Sequence, residues 1–135
     1  MNVYSRKIVG WGLSNSMDGE WCLDVLKESI GQHGKPEIVG SDQGSQYSSA
    51  LWTTYVDEAG IKISMDGKGR ATDNTWIERF WKTIKYNYIY LNPARDGLEL
   101  LDGVSKYIGN YHTKIHQTTN QTPKERYQAT MKKAA

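Results

Sequence analysis

The stretch Gly69 to Tyr90, GRATDNTWIERFWKTIKYNYIY, sets one carboxylate, Glu78, among basic and aromatic residues at helical spacing. Glu78, Lys82 and Lys85 fall one and two turns apart on one face, with Arg79 beside them, and such a face is suited to meeting an anion. The plainer alternative is a solvated Glu–Lys pair one turn apart, worth about 0.2–0.5 kcal/mol. A second carboxylate shifts the balance. Asp42, in GSDQGSQYSS, follows the short apolar run Ile38-Val39 and so belongs at the exit of a strand, where ligand and catalytic groups of open α/β sheets collect. Its own alternative is a strand-to-helix connection with an Asx turn. Thirty-five residues separate the two acids.

The elements that must hold these acids follow from periodicity. Asp73 or Asn74 can cap the helix of Glu78, and Ile77, Trp81, Ile84 and Tyr88 recur at the interval of a buried stripe. Ahead of Asp42, Val3 to Leu13 reads as a strand with apolar residues on both faces. Met17 to Ile30 reads as a helix with Cys22, Val25, Leu26 and Ile30 on one stripe, ended by Gly31 and Gly34 before Pro36. After the small, polar loop Gln43 to Ser48, a short helix carries Trp52, Tyr55, Val56 and Ala59 and stops at Gly60; Ile61, Ile63 and Met65 then alternate as in a strand. Beyond Asn92-Pro93, Leu101, Val104, Ile108 and Tyr111 predict a long core helix. Thr122, Pro123 and Glu125 predict a helix-starting box with proline at the first helical position, and MKKAA a frayed tail. Strand, helix, strand in this order calls for helices covering a sheet.

Asp42 within SDQGSQY, Glu78 within DNTWIERFWKTIK and the gap between them resemble the second and third acids of the DDE transposases of bacterial insertion sequences, which carry a retroviral-integrase-type catalytic core. VYSRKIVGW near the start and Thr122-Pro123 near the end are similar to that family in the same order, so the resemblance covers Asn2 to about Tyr127. It implies an α/β, ribonuclease-H-like fold: a mixed sheet flanked by helices, forming one catalytic core over residues 1–127 with a tail over 128–135. The family's first catalytic Asp lies on a strand before the segment resembling VYSRKIVGW. The sequence begins at Met1, directly before that segment, so no residue here takes the role, and the expected sheet lacks its first strand.

The resemblance also implies the chemistry. Attack of water or a 3′-hydroxyl on a phosphodiester develops charge on the attacking and leaving oxygens, which two Mg²⁺ (or Mn²⁺) ions about 3.5–4 Å apart stabilise. Oxygen donors suit such ions, which makes Asp42 and Glu78 the candidate catalytic and metal-ligating residues. DNA is the implied partner, with self-association. Arg79, Lys82 and Lys85 are candidate DNA contacts, as are Lys68 and Arg70 of the loop Asp66-Gly67-Lys68-Gly69-Arg70, which falls where the family has a flexible loop beside the active site; the alternative for that loop is an exposed turn. Where the family reads Tyr-Asn, Arg, His and Thr-Pro, this chain has Tyr111, His116 and Thr122-Pro123, with Lys114 the nearest cation and the spacing one residue short. Gly40 stands where the family often has His. His112 and His116, four apart, suit one helix face, but no paired Cys or acidic cluster adjoins them to make a zinc site.

Bulk properties bound the alternatives. The chain has 135 residues, 38% of them hydrophobic, enough for one modest core. Net charge is only +2, but residues 1–66 hold five Lys/Arg against nine Asp/Glu, whereas residues 67–135 hold twelve against six, so the second half is the expected polyanion face. The lone Cys22, on an apolar helical stripe, reads as a structural thiol. No membrane span or signal-peptide core is present, and a cytoplasmic location is expected. Two functions remain: a transposase core for DNA integration, catalysing cleavage and strand transfer in its full-length form, or a non-catalytic relic or regulator that retains DNA or partner binding. Without a first Asp, the chain alone is expected to bind divalent metal weakly, to cleave no DNA and to be marginally stable or associate with itself.

Overall fold

A computed structural model describes residues 1–15, 18–41, 44–65 and 75–134. They fall into two compact units, Gly10–Thr75 and Met1–Val9 with Trp76–Ala135. Asp42, Lys68 and Arg70, and the candidate caps Asp73 and Asn74, lie outside the described residues.

In the first unit, α1 (Gly19–His33) is capped by Asp18, whose carboxylate accepts from the Glu20 N–H at 3.0 Å. It runs through Gly31 and ends at Gly34, whose φ of 87° turns its N–H back to the Ile30 carbonyl at 2.8 Å. Strand β1 (Ile38–Ser41) leads into α2 (Ser45–Ser48) and α3 (Ala50–Glu58), and Gly60, at φ 74°, turns the chain into β2 (Lys62–Met65). The two strands pair in parallel, Ile38 opposite Lys62 and Ser41 opposite Met65. Among the described residues this two-stranded ladder is the sheet, smaller than the mixed sheet expected. Leu23, Trp52, Val56 and Ile61 form its buried cluster, with Cys22, Leu26, Ile30 and Val39 packed around them. The stripe of α3 therefore lies where its periodicity put it, whereas on α1 the buried residue is Leu23, outside the expected stripe, of which Cys22, Leu26 and Ile30 pack against the cluster.

In the second unit, α4 (Thr75–Ile84) continues into a π-helical turn, Lys85–Ile89, followed by α5 (Gly97–Thr113) and α6 (Pro123–Ala134). Asp96 caps α5, accepting from the Glu99 N–H at 2.8 Å. The box at α6 is reciprocal: Thr122 Oγ1 accepts from the Glu125 N–H at 3.1 Å, and the Glu125 carboxylate accepts from the Thr122 N–H at 3.2 Å. Pro123 at the first position is fully buried. Helix α6 continues to Ala134, through the segment read as a tail. Ile8, Phe80, Ile84, Val104, Ile108 and Tyr127 are buried.

Several sequence expectations are corrected. Leu101, expected on the buried stripe of α5, is 43% exposed. Val3 to Leu13 is not a strand. Asn2 closes a turn in which its N–H donates to the Lys7 carbonyl and the Arg6 N–H donates back to the Asn2 carbonyl, both at 2.8 Å, while its side chain accepts from the Ser5 N–H and hydroxyl. Arg6 sits at φ 66°, so local bonds take the backbone groups a ladder would need. On α4, Phe80 is the buried aromatic and Trp81 is 44% exposed, because the Phe80 ring packs edge-on against Tyr111 at 5.0 Å and fills the inward position. His112 and His116 do not share a helix face: α5 ends at Thr113, and His116 instead bridges to Gln121.

Candidate active site

Helix α4 presents two different faces. Glu78, Arg79, Lys82 and Lys85 are all exposed, as their spacing predicts. Among the described residues the ion pairs are Arg95–Glu99 and Lys106–Asp102. Glu78 is therefore not held by Lys82, and the reading of Glu78 as half of a surface ion pair falls away. Its carboxylate stands exposed on a face that otherwise carries cations.

The adjoining face of α4, with Trp76, Arg79, Phe80 and Thr83 at intervals of three and four, lines a cleft of about 80 Å³. Arg6, Tyr111 and His116 complete it. The Arg6 guanidinium lies 3.6 Å from the centroid of the Trp76 ring and that of Arg79 5.3 Å from it, so one indole serves two cations. Arg6 Nε is buried without a hydrogen-bond partner among the described residues. Burial lowers the pKa of the Arg6 guanidinium, which the nearby Tyr111 hydroxyl opposes; burial raises that of Tyr111 and lowers that of His116, on which Arg6 acts in the same direction.

The turn carrying Arg6 is fastened to all three helices of its unit. Arg6 reaches α4 through Trp76, and the Ile8 N–H donates to His112 Nε2 on α5 at 3.0 Å. Arg126 of α6 donates from Nε to the Tyr4 carbonyl at 2.8 Å and stacks on the Tyr4 ring at 3.9 Å, while Lys7 lies 4.4 Å from the Tyr127 ring. Accepting that bond keeps His112 neutral at Nε2, and burial, then the nearby Lys7, pushes its pKa down. Beyond α4, the π-helical turn brings Tyr86 edge-on to Tyr90 at 5.3 Å and Tyr88 against Tyr107 at 5.7 Å.

In the other unit, β1 ends at Ser41, whose hydroxyl is buried without a partner among the described residues, one position before Asp42. Lys114 caps the carboxy end of α5, exposed and outside the cleft lining. No group of three or more His, Cys, Asp or Glu side chains converges among the described residues. Arg6, Trp76 and Thr83 are the site residues that sequence reasoning missed. Arg6 was concealed by the strand reading of its segment, whereas the spacing of Trp76, Arg79 and Thr83 was available as a signal.

The fold is that of the retroviral integrase catalytic cores, which are ribonuclease-H-like: the HTLV-2 integrase catalytic core domain in complex with magnesium superposes with a TM-score of 0.63 at 17% identity, over 83% of this chain and 71% of that one. A chain of the simian T-cell lymphotropic virus intasome in complex with PP2A regulatory subunit B56 gamma gives a TM-score of 0.68 at 18% identity, over 84% of this chain and 41% of that one. Residues 1–71 match the integrase core domain family, and residues 59–123 match a second family of the same description. The chain belongs to the integrase core domain family. It is 36% identical over 114 residues to the transposase for insertion sequence element IS904 of Lactococcus lactis, covering 83% of this chain and 45% of that protein. It is 30% identical over 119 residues to the putative transposase InsK for IS150 of Escherichia coli, covering 84% and 41%. The chain thus spans less than half the length of these curated relatives.

Proposed function

We propose that the chain is the catalytic-core portion of an insertion-sequence transposase, acting in DNA cleavage and strand transfer, with Asp42 and Glu78 as ligands for divalent metal. The observation that carries this reading is Glu78: an exposed carboxylate on α4, in no ion pair with a described residue, flanked by Arg79, Lys82 and Lys85 in a chain of the integrase core family. Carboxylate left free on a cationic face suits a hard cation that a phosphate also approaches.

The donors fit in kind. Glu78 supplies an oxygen from a helix, and Asp42 would supply one from the position that follows, in sequence, the last residue of a parallel strand. Mg²⁺ or Mn²⁺, two ions in a complete site, would stabilise charge on the attacking and leaving oxygens of a phosphodiester. What this chain's residues do is hold those ions and, through Arg79, Lys82, Lys85, Lys68, Arg70 and Lys114, position the DNA backbone. Self-association is part of the reading, since related fold neighbours are described in trimeric and dimeric forms. No helix among the described residues is long and apolar enough to cross a membrane, in keeping with action on DNA in the cytoplasm.

The test is Mg²⁺-dependent joining of a 3′-hydroxyl DNA end to a target duplex. The purified chain is assayed alone and with the amino-terminal remainder of a related transposase added in trans. Complemented joining that is lost in Glu78→Gln and in Asp42→Asn is expected, whereas joining that survives either substitution would sink the assignment.

A further inference from the structure

We infer that the cleft between Arg6 and Arg79 is a subsite for a DNA phosphodiester, seating a non-bridging oxygen between the two guanidiniums beside the Glu78 face of α4. This rests on the reading of the chain as a DNA-acting core and adds to it a residue, Arg6, and a place.

Four observations converge. First, Arg6 Nε is buried with no acceptor among the described residues, and a buried unsatisfied donor costs about 1–3 kcal/mol, more when charged. An oxyanion in the cleft would recover that loss through a charge-assisted bond. Second, both guanidiniums share the Trp76 ring, at 3.6 and 5.3 Å, and no carboxylate lines the cleft. Two cations that border one cleft among the described residues, with no acid lining it, suit an anion from outside. Third, Arg6 is held at φ 66° by the Asn2 turn, a conformation an L side chain occupies at a cost of order 1–3 kcal/mol and one that collects at ligand sites. The residue held in this turn is the one whose guanidinium stacks on Trp76 of α4. Fourth, His116, which also lines the cleft, accepts from the Thr118 N–H at Nδ1 and so carries its proton at Nε2, a donor that suits a phosphate oxygen; the Thr83 hydroxyl is already given to the Arg79 carbonyl at 2.8 Å.

Size decides what enters. At about 80 Å³ the cleft falls well short of the ~300–1,000 Å³ pockets that enclose whole small molecules. It accommodates one charged group of a polymer that continues across the surface. The DNA backbone is that polymer in a unit whose charge is strongly positive.

The experiment follows the arginine Nε–H resonances of the full chain by NMR in EDTA, so that metal binding at Glu78 plays no part. One titration uses a mixed-sequence duplex and a parallel one inorganic phosphate. The expected result is that the Arg6 and Arg79 resonances shift together and saturate with duplex. Arg79→Gln should weaken duplex binding about tenfold and reduce the salt dependence by about one phosphate. Arg6→Lys keeps the charge but loses the planar fork, and should weaken binding comparably while the melting temperature stays near that of the parent. Duplex binding with both resonances unmoved and Arg79→Gln equal to the parent would overturn the subsite while leaving the DNA-acting reading intact. A response to inorganic phosphate but none to duplex would overturn DNA as the ligand. No duplex binding at all by the parent would overturn both readings.

Discussion

The two units of the molecule carry opposite charge and hold themselves together differently. Residues 10–75 contain ten Asp/Glu against five Lys/Arg, a net of −5; residues 1–9 with 76–135 contain five against twelve, a net of +7. The acidic unit is organised around one apolar cluster, Leu23, Trp52, Val56 and Ile61. The basic unit has its own buried residues but adds four of the five cation–aromatic contacts among the described residues, which fasten Arg6, Lys7, Arg79 and Arg126 to its rings. Its cations are thus partly structural, and where the fold gathers two of them without an acid, at Arg6 and Arg79, the excess becomes a site. The lesson is that chain-average charge conceals function here, since +2 overall is the sum of two strongly unlike parts.

The largest effect should come from breaking the apolar cluster. Trp52→Ala removes a 4% exposed indole that packs edge-on with Tyr47 at 4.9 Å and should cost about 3–5 kcal/mol in urea unfolding; a cost under about 1 kcal/mol would contradict a cluster-based unit. Next is a matched pair of charge removals. Arg79→Gln in the basic unit should lose about tenfold in duplex affinity, or about 1.4 kcal/mol. Lys27→Gln, which removes the acidic unit's own cation–aromatic contact with Tyr55, should change affinity less than about twofold. Equal losses would erase the distinction between the units. Smaller again, Thr122→Ala deletes the α6 cap and should cost about 1 kcal/mol, read as a lower midpoint in chemical denaturation.

The smallest effect is one of pH. His112 accepts the Ile8 N–H, and its pKa is lowered in the folded protein by burial and by Lys7. Below the unfolded value of about 6.5 the unfolded chain binds the extra proton first. The stability His112 contributes is therefore complete above that pH and is lost as pH falls through the depressed folded pKa. His116, lowered by burial and Arg6, acts in the same direction. Thermal melts from pH 7.5 to 5 should fall, and His112→Gln should flatten the fall. An unchanged slope would remove His112 from the account.

Much of the fold was legible because helical stripes depend on local spacing: that of α3 emerged with Trp52 and Val56 buried, those of α1 and α5 emerged in part, with Leu26, Val104 and Ile108 inward but Leu23 missed and Leu101 exposed, and the Thr122–Glu125 box closed as written. What failed depended on bonds that periodicity does not carry. The apolar alternation from Val3 to Leu13 yielded to the Asn2 side chain, which satisfies the local backbone first. On α4, Ile77, Ile84 and Tyr88 are at least partly buried as expected, but the neighbouring Phe80 displaced Trp81 from the stripe. The face of Glu78 was legible, and the Arg6 cleft was not, because its two halves lie seventy positions apart in sequence, at Arg6 and Trp76.

The most direct test of the central claim, that Glu78 and Asp42 hold divalent metal, is Mn²⁺-induced line broadening across the backbone spectrum of the chain, with Mg²⁺ as competitor. Broadening should centre on the residues flanking positions 42 and 78, be reversed by Mg²⁺ and disappear in Glu78→Gln. Broadening that centres elsewhere, or that persists unchanged in Glu78→Gln, would contradict the account.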